Sequence, residues 1–329
     1  MARISGGAWA LALVSAAALV LVLTLLDPPS DAFVAGGDLG GTQVVGEGFP
    51  KRLIDPLGRA HTLTAPPTRI VSAILAGDEM LAGLVAPERV VAVTHLVDDA
   101  GISNVAGHYP ATIPRIAGDI EALLAPRPDL VIVSTLSDAL AVRLLLRAGV
   151  AVARFAAFDS FAEVIANIET LGAILGTEPR AAALVADLRR RLADVARQVA
   201  GRPAPRVLFY SRSGSTGGPG SLTDEMIALA GGYNVIRDTG ITGHRRVTPE
   251  LAIALQPEVI IVSDWSGSGA GEVDWLRDAP AWRQVPAVRD GRLHALRGAW
   301  VTSGSQFRVA GVEALARLLH PEAFADAAR

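Results

Sequence analysis

The 329-residue chain contains no cysteine. That excludes disulfides, thiolate metal sites, iron–sulfur clusters and a cysteine nucleophile, and it leaves no residue to carry a lipobox lipid. Lysine is almost as scarce: of 30 basic residues only Lys51 is a lysine, and there is no Lys/Arg-rich run. With 33 acidic residues the formal charge is −3, so nothing electrostatic favours nucleic acid. Aromatic residues make up 5%, which makes the position of each Trp and Tyr informative. Half of the residues are hydrophobic, which excludes wholesale disorder, and the length suits two domains or one large one.

Residues 9–26 carry no charge, with Arg3 before them and Asp27-Pro28-Pro29 after. An 18-residue apolar run approaches the thickness of a bilayer core. Residues 1–26 therefore read as a secretory signal peptide or as an uncleaved N-terminal membrane anchor. Either places the rest of the chain outside the cytoplasm, in the periplasm or an equivalent compartment. Residues 27–48, rich in Gly, Pro and Asp, read as a flexible tether.

From residue 49 the pattern is α/β. A hairpin is expected around Asp55-Pro56-Leu57-Gly58-Arg59. Apolar runs at 69–73, 89–93, 130–133 and 150–153 read as buried strands, with helices at 78–85, 120–125 and 138–148 between them. Residues 49–158 thus form an N-terminal lobe. At 159–201 the apolar period becomes helical, broken once at Gly176-Thr177-Glu178-Pro179, which predicts a long connecting helical segment. A second α/β unit, 202–329, follows. The two units repeat each other: Glu121…Pro128-Asp-Leu-Val-Ile-Val-Ser134 matches Glu250…Pro257-Glu-Val-Ile-Ile-Val-Ser263, and Asp78-Glu79-Met80 matches Asp224-Glu225-Met226. The expected fold is two Rossmann-like lobes with mostly parallel sheets, joined by a long helix, with a cleft between them.

This order of features resembles the periplasmic substrate-binding proteins of ABC importers for cobalamin, iron–siderophores and haem, the helical-hinge class. The resemblance covers about residues 52–321. It rests on Asp55-Pro-Leu-Gly-Arg59, Thr68-Arg-Ile-Val-Ser72, Pro128-Asp-Leu-Val-Ile-Val133, Leu171-Gly172…Leu175-Gly176 and Asp290-Gly-Arg-Leu-His294. It implies a non-enzymatic receptor with no intrinsic cofactor, whose transported ligand is a metal chelate, a corrinoid such as cobalamin ahead of a ferric siderophore. It also implies a permease dimer with its ATPase as partner. In this family one Glu per lobe docks on the permease, and Glu121 and Glu250 match those positions. Both also read as first-turn helix residues facing the positive dipole end.

Loops after strands should line the cleft. They offer His95, His108 and Tyr109 from the first lobe, and Arg212, His244, Arg245, Trp265 and Trp300 from the second. In vitamin B12-binding members aromatics near the His95, His244 and Trp300 positions hold the corrin; two of the three are His here. Haem-binding members carry a Tyr where this chain has Asp119, which disfavours haem. Two other readings stand beside this one. His95, His108 and His244 with a carboxylate could make a zinc or manganese site. An exported α/β hydrolase would need a nucleophile elbow, but Tyr210-Ser211-Arg212-Ser213-Gly214 lacks the leading Gly.

Overall fold

The runs of consecutive apolar residues become parallel strands of two separate sheets in the computed structural model, which describes residues 41–55, 58–266 and 271–325. The first lobe opens with an antiparallel sheet of β1 (Gln43–Val45), β2 (Lys51–Ile54) and β3 (Ala60–Leu63). It continues through β4 (Ile70–Ser72), α1 (Leu75–Leu84), β5 (Val90–Thr94), β6 (Arg115–Ile116), α2 (Ile120–Leu124), β7 (Leu130–Ser134), α3 (Ala139–Arg147) and β8 (Ala151–Phe155). Its main sheet is wholly parallel, in the order β6-β5-β4-β7-β8. Every residue of β7 and β8 is buried, as expected of strands covered by helices on both faces.

Two helices connect the lobes, α4 (Phe161–Leu175) and α5 (Glu178–Val199). Ser160 and Glu163 form a reciprocal capping box at the start of α4, and Gly176 ends it at φ 67°, a conformation that a Cβ would strain. Pro179 then lies in the first turn of α5, where a missing N–H costs nothing. At about 1.5 Å per residue α5 is roughly 33 Å long. Its Arg191 makes a two-pronged ion pair with Glu313, both contacts 2.7 Å.

The second lobe contains β9 (Arg206–Phe209), β10 (Ser215–Gly217), α6 (Leu222–Leu229), β11 (Tyr233–Asn234), β12 (His244–Arg246), α7 (Pro249–Ala254) and β13 (Val259–Asp264). It ends with α8 (Asp274–Arg277), α9 (Pro286–Arg289), β14 (Leu293–Arg297), α10 (Gly298–Thr302) and α11 (Arg308–Leu319). Its parallel sheet runs β11-β9-β13-β14, which reproduces the order β5-β4-β7-β8 of the first lobe strand for strand. The internal repeat in the sequence is therefore a repeat of topology. α1 and α6 hold the matched Asp-Glu-Met triplets, and α2–β7 and α7–β13 hold the matched Glu-to-Ser segments.

Residues 1–26, expected as signal or anchor, lie outside the described residues, as do Pro56 and Leu57 of the expected hairpin turn. Among the described residues no helix is long and apolar enough to cross a membrane. The expected tether, 27–48, is described only from residue 41. There it departs from expectation, because β1 pairs with β2 through Val44 opposite Leu53.

Candidate functional site

In both sheets the order reverses at the first strand, β4 or β9, which leaves a crevice beyond the carboxyl ends of the strands. A cavity of about 1000 Å³ occupies that place. Thr94, Ser134, Phe209 and Ser263, at or beside the ends of β5, β7, β9 and β13, all line it. The wall from the first lobe is chiefly apolar, with Leu75, Leu96, Leu123, Val133, Val142 and Leu145. The opposite wall is dominated by hydroxyls, among them Ser211, Ser213, Ser215, Thr216 and Thr223. The Ser211, Ser213 and Ser215 hydroxyls form a chain, Ser211 Oγ lying 2.9 Å from Ser213 Oγ. This segment is a turn between two strands, not the strand-to-helix elbow of a hydrolase nucleophile.

Of the eight side chains expected in the cleft, His244 and Trp265 line it. His244 is brought there by the β10–β12 ribbon, where it pairs with Gly217. Trp265 is 48% exposed. A Cβ on Gly298 would fall 2.6 Å from its ring, and one on Gly101 would meet its carbonyl oxygen, so glycine at both positions lets the two lobes close around this residue.

The other six are placed elsewhere. His95 Nδ1 sits 3.3 Å from the Ile116 carbonyl. His108 lines a second cavity of about 560 Å³ between α1, α5 and the loop before α11. Tyr109 is buried and donates its hydroxyl to the Asp78 carbonyl at 2.5 Å, and burial raises its pKa. Arg212 is exposed and stands over Trp275, and Arg245 is exposed and donates to the neighbouring His244 carbonyl. Trp300 is partly buried beside Arg297. Consequently His95, His108 and His244 do not converge, and among the described residues no group of three or more His, Asp or Glu could hold a metal ion.

Glu121 and Glu250 are both exposed at the second position of their helices, as expected. Asp119 accepts from Ala122 N at 2.9 Å and Thr248 from Leu251 N at 3.3 Å, which are N-cap bonds. A hydrogen bond from its own backbone N–H, then one from Thr248, holds the Glu250 carboxyl below the usual carboxylate range.

Four groups were not expected at the cleft from the sequence: Asp78 and Glu79, bonded to the lining residues Thr94 and Ser303, and Thr216 and Arg308, which line it. Asp78 is fully buried, accepts from the Thr94 hydroxyl at 2.6 Å, and is pushed up to about 8 by burial. Glu79, also fully buried, joins the lobes: Oε1 accepts from Asn104 N and Nδ2 at 2.9 and 2.8 Å, and Oε2 accepts from the Ser303 and Ser305 hydroxyls. Thr216 and Arg308 line the cleft although each is almost wholly buried. A signal for Arg308 existed: it falls in register with Val312, Leu315 and Leu319 on the buried face of α11.

Known proteins share this arrangement. The sequence profile of the family described as periplasmic binding protein matches residues 70–299. An uncharacterized ABC transporter substrate-binding lipoprotein of Bacillus subtilis, YvrC, is 27% identical over 295 residues, covering 85% of this chain and 88% of its own. A cobalamin-binding protein of Halobacterium salinarum is 28% identical over 220 residues, 65% of this chain and 58% of its own length. Among solved structures, the periplasmic haem-binding protein RhuT from Roseiflexus sp. RS-1, in apo form, matches with a TM-score of 0.64 at 27% identity, covering 78% of this chain and 98% of that one. Two repeated parallel lobes, a cleft at their strand ends and a profile match over most of the chain agree: this protein belongs to the periplasmic binding protein family.

Proposed function

We propose that this chain is an extracytoplasmic receptor that captures a metal chelate and delivers it to an ABC importer, a corrinoid ahead of a ferric siderophore. The observation that carries the reading is the cleft of about 1000 Å³, roomy enough for a large ligand and lined mainly by apolar and hydroxyl groups. Its lining includes few charged side chains, Asp138, Asp159 and Arg308, while Arg212 and Arg245 are exposed outside it. That chemistry suits a bulky chelate with a neutral amide rim better than a multiply anionic one. The similarity to a cobalamin-binding protein supports the same order. Delivery would use Glu121 and Glu250, one exposed first-turn carboxylate on each lobe, presented to guanidinium groups of a permease. With no cysteine for a lipid, holding the receptor at a membrane falls to the apolar run of residues 9–26.

Titration by intrinsic tryptophan fluorescence tests the reading, because Trp265 lines the cleft. Cyanocobalamin should quench it saturably. Quenching by a ferric siderophore and not by cyanocobalamin would reverse the order of ligands, and quenching by neither would remove the chelate reading.

A further inference from the structure

Among the described residues, five large apolar side chains are exposed, and three of them fall on α3 and the loop before it. Leu136 is 96% exposed, Leu140 62% and Leu144 37%. Leu136 lies on the loop between β7 and α3, and Leu140 and Leu144 are one turn apart on the helix. Every residue of α3 is apolar except Arg143 and Arg147. At 3.6 residues per turn Leu140, Leu144, Arg143 and Arg147 share an arc of about 100°. The buried Val142, Leu145 and Leu146 fall on the opposite side. One apolar face is enough to seat a helix on its sheet. A second one, open to solvent, points to a contact outside the chain.

The charge on this face has one sign. Asp138, the acidic residue at the helix start, is engaged as N-cap and accepts from Ala141 N at 2.7 Å. Neither Arg143 nor Arg147 forms an ion pair among the described residues. Position adds a second observation. Thr135, beside Leu136, donates its hydroxyl to the Ala156 carbonyl at 3.3 Å. A Cβ on Gly41 would fall 3.4 Å from the Ala156 Cβ, and Thr42 N donates to the Arg154 carbonyl at 2.9 Å. The described chain therefore begins at the corner from which the leucine face runs. Residues 27–40, which join the apolar run 9–26 to that corner, span at most about 50 Å.

We propose that Leu136, Leu140 and Leu144, flanked by Arg143 and Arg147, form a contact surface for an anionic phospholipid bilayer. The leucines enter the headgroup boundary and the guanidinium groups meet lipid phosphates. The surface rests on the reading that residues 9–26 hold the receptor at a membrane, and adds to it the face turned toward that membrane. Charge disfavours other occupants. A permease surface that offers guanidinium groups to Glu121 would repel arginines on the same lobe. A second copy related by a two-fold axis would bring Arg143 and Arg147 against their own counterparts. Lipid phosphates complement both.

The cysteine-free chain allows a single label. Full-length Leu140→Cys, and Arg197→Cys on α5 as control, would carry a thiol-linked environment-sensitive dye. Both positions are exposed, so the urea midpoints should not change. Each protein is reconstituted in vesicles of phosphatidylglycerol and phosphatidylcholine that contain a headgroup-proximal nitroxide lipid. The dye at position 140 should be quenched at least about twofold more than the dye at 197. Vesicles of phosphatidylcholine alone, or Arg143→Gln with Arg147→Gln, should reduce that excess. An excess that ignores both changes would overturn the part given to the arginines. Equal quenching at the two positions, in a chain that floats with the vesicles, would overturn the surface alone. A chain that does not float with them would overturn the anchor reading and the surface with it. Shielding of position 140 without lipid as protein concentration rises would assign the face to a second copy. Shielding only when permease is present would assign it to the permease, and either result would overturn the bilayer contact.

Discussion

Glu79 Oε2 and Ser305 Oγ stand 2.7 Å apart across the junction of the two lobes. The repeat supplies a counterpart, since Glu225, the match of Glu79, also reaches beyond its own lobe. Its Oε2 accepts from Phe161 N at 2.7 Å, where the connecting helices begin. The adjacent aspartates stay at home, Asp78 on Thr94 and Asp224 on Arg237 and Asn234. Each Asp-Glu pair thus uses one carboxylate within its lobe and one beyond it, Glu79 on the other lobe and Glu225 on the connecting helix. The two bridges differ in depth. Glu79 satisfies four donors in the interior, so Glu79→Ala should cost about 3 kcal/mol or more by urea unfolding. Glu225→Ala removes one acceptor at a helix start and should cost about 1 kcal/mol. A cycle of Glu79→Gln with Ser305→Ala should show coupling above about 0.5 kcal/mol, and strict additivity would mean that the bridge contributes nothing.

Asp78 sets a pH dependence of opposite sign to that of an ordinary carboxylate. Burial raises it from 3.8 unfolded to about 8 folded, against the hydrogen bonds from Thr94. Between those values the native state holds a proton that the unfolded chain has released, so this group's contribution is full below pH 4 and declines as pH rises through 8. Asp78→Asn carries no such charge. The stability of the wild type relative to Asp78→Asn should therefore fall steadily from pH 4 to 8, measured by urea midpoints at matched ionic strength. A difference constant with pH would show that Asp78 is ionised in the fold.

The sheets were legible in the sequence because parallel strands covered on both faces read as continuous apolar runs. Residues 130–133 and 259–262 announced β7 and β13 in that way. The repeat was legible because its copies keep the same spacing from Glu to Pro to Ser. The cleft was harder to read. A loop after a strand can aim a side chain three ways, and sequence does not say which. Thr94-His95-Leu96 sends Leu96 into the cleft and His95 toward the Ile116 carbonyl. Tyr109 was expected on a loop lining the cleft, yet it is buried and donates its hydroxyl to the Asp78 carbonyl. Short ribbons such as β10–β12 have too few residues for alternation to show, although that ribbon carries His244 to the cleft. Arg308 was hidden by its charge, which suggests solvent until its register on α11 is read.

The single lysine of the chain is among its most buried residues. Lys51 is 1% exposed, donates to the Ala173 carbonyl at 2.6 Å and to Glu178, and lies 5.0 Å from the Phe49 ring centroid. It ties β2 to the break between α4 and α5. The ion pair holds the Glu178 carboxyl below the usual carboxylate range. Lys51→Met keeps the stem and strands the Ala173 carbonyl, so it should lower stability by about 1–3 kcal/mol. An amine-directed acylating reagent should leave Lys51 unmodified in the native protein and modify it in urea, as read by peptide mass. Rapid modification without denaturant would place the ammonium in solvent.

Glu121 and Glu250 face a separate test, because a helix-start role and a docking role predict different losses. Each lies at the second helical position, where a carboxylate adds about 0.3–1 kcal/mol through the dipole. Glu121→Ala with Glu250→Ala should therefore lower stability by at most about 2 kcal/mol, within reach of an intact fold. Neither residue lines the cleft, so affinity for the ligand should not change. Replacement by Gln keeps size and hydrogen-bonding capacity and removes only the charge that a permease guanidinium would meet. If docking is their role, both double variants bind ligand as the wild type does and fail to restore uptake in cells that carry the cognate permease and ATPase. Each single variant should fall between, since the other lobe still engages. Full uptake by the doubly substituted receptor would leave Glu121 and Glu250 with the helix dipole alone.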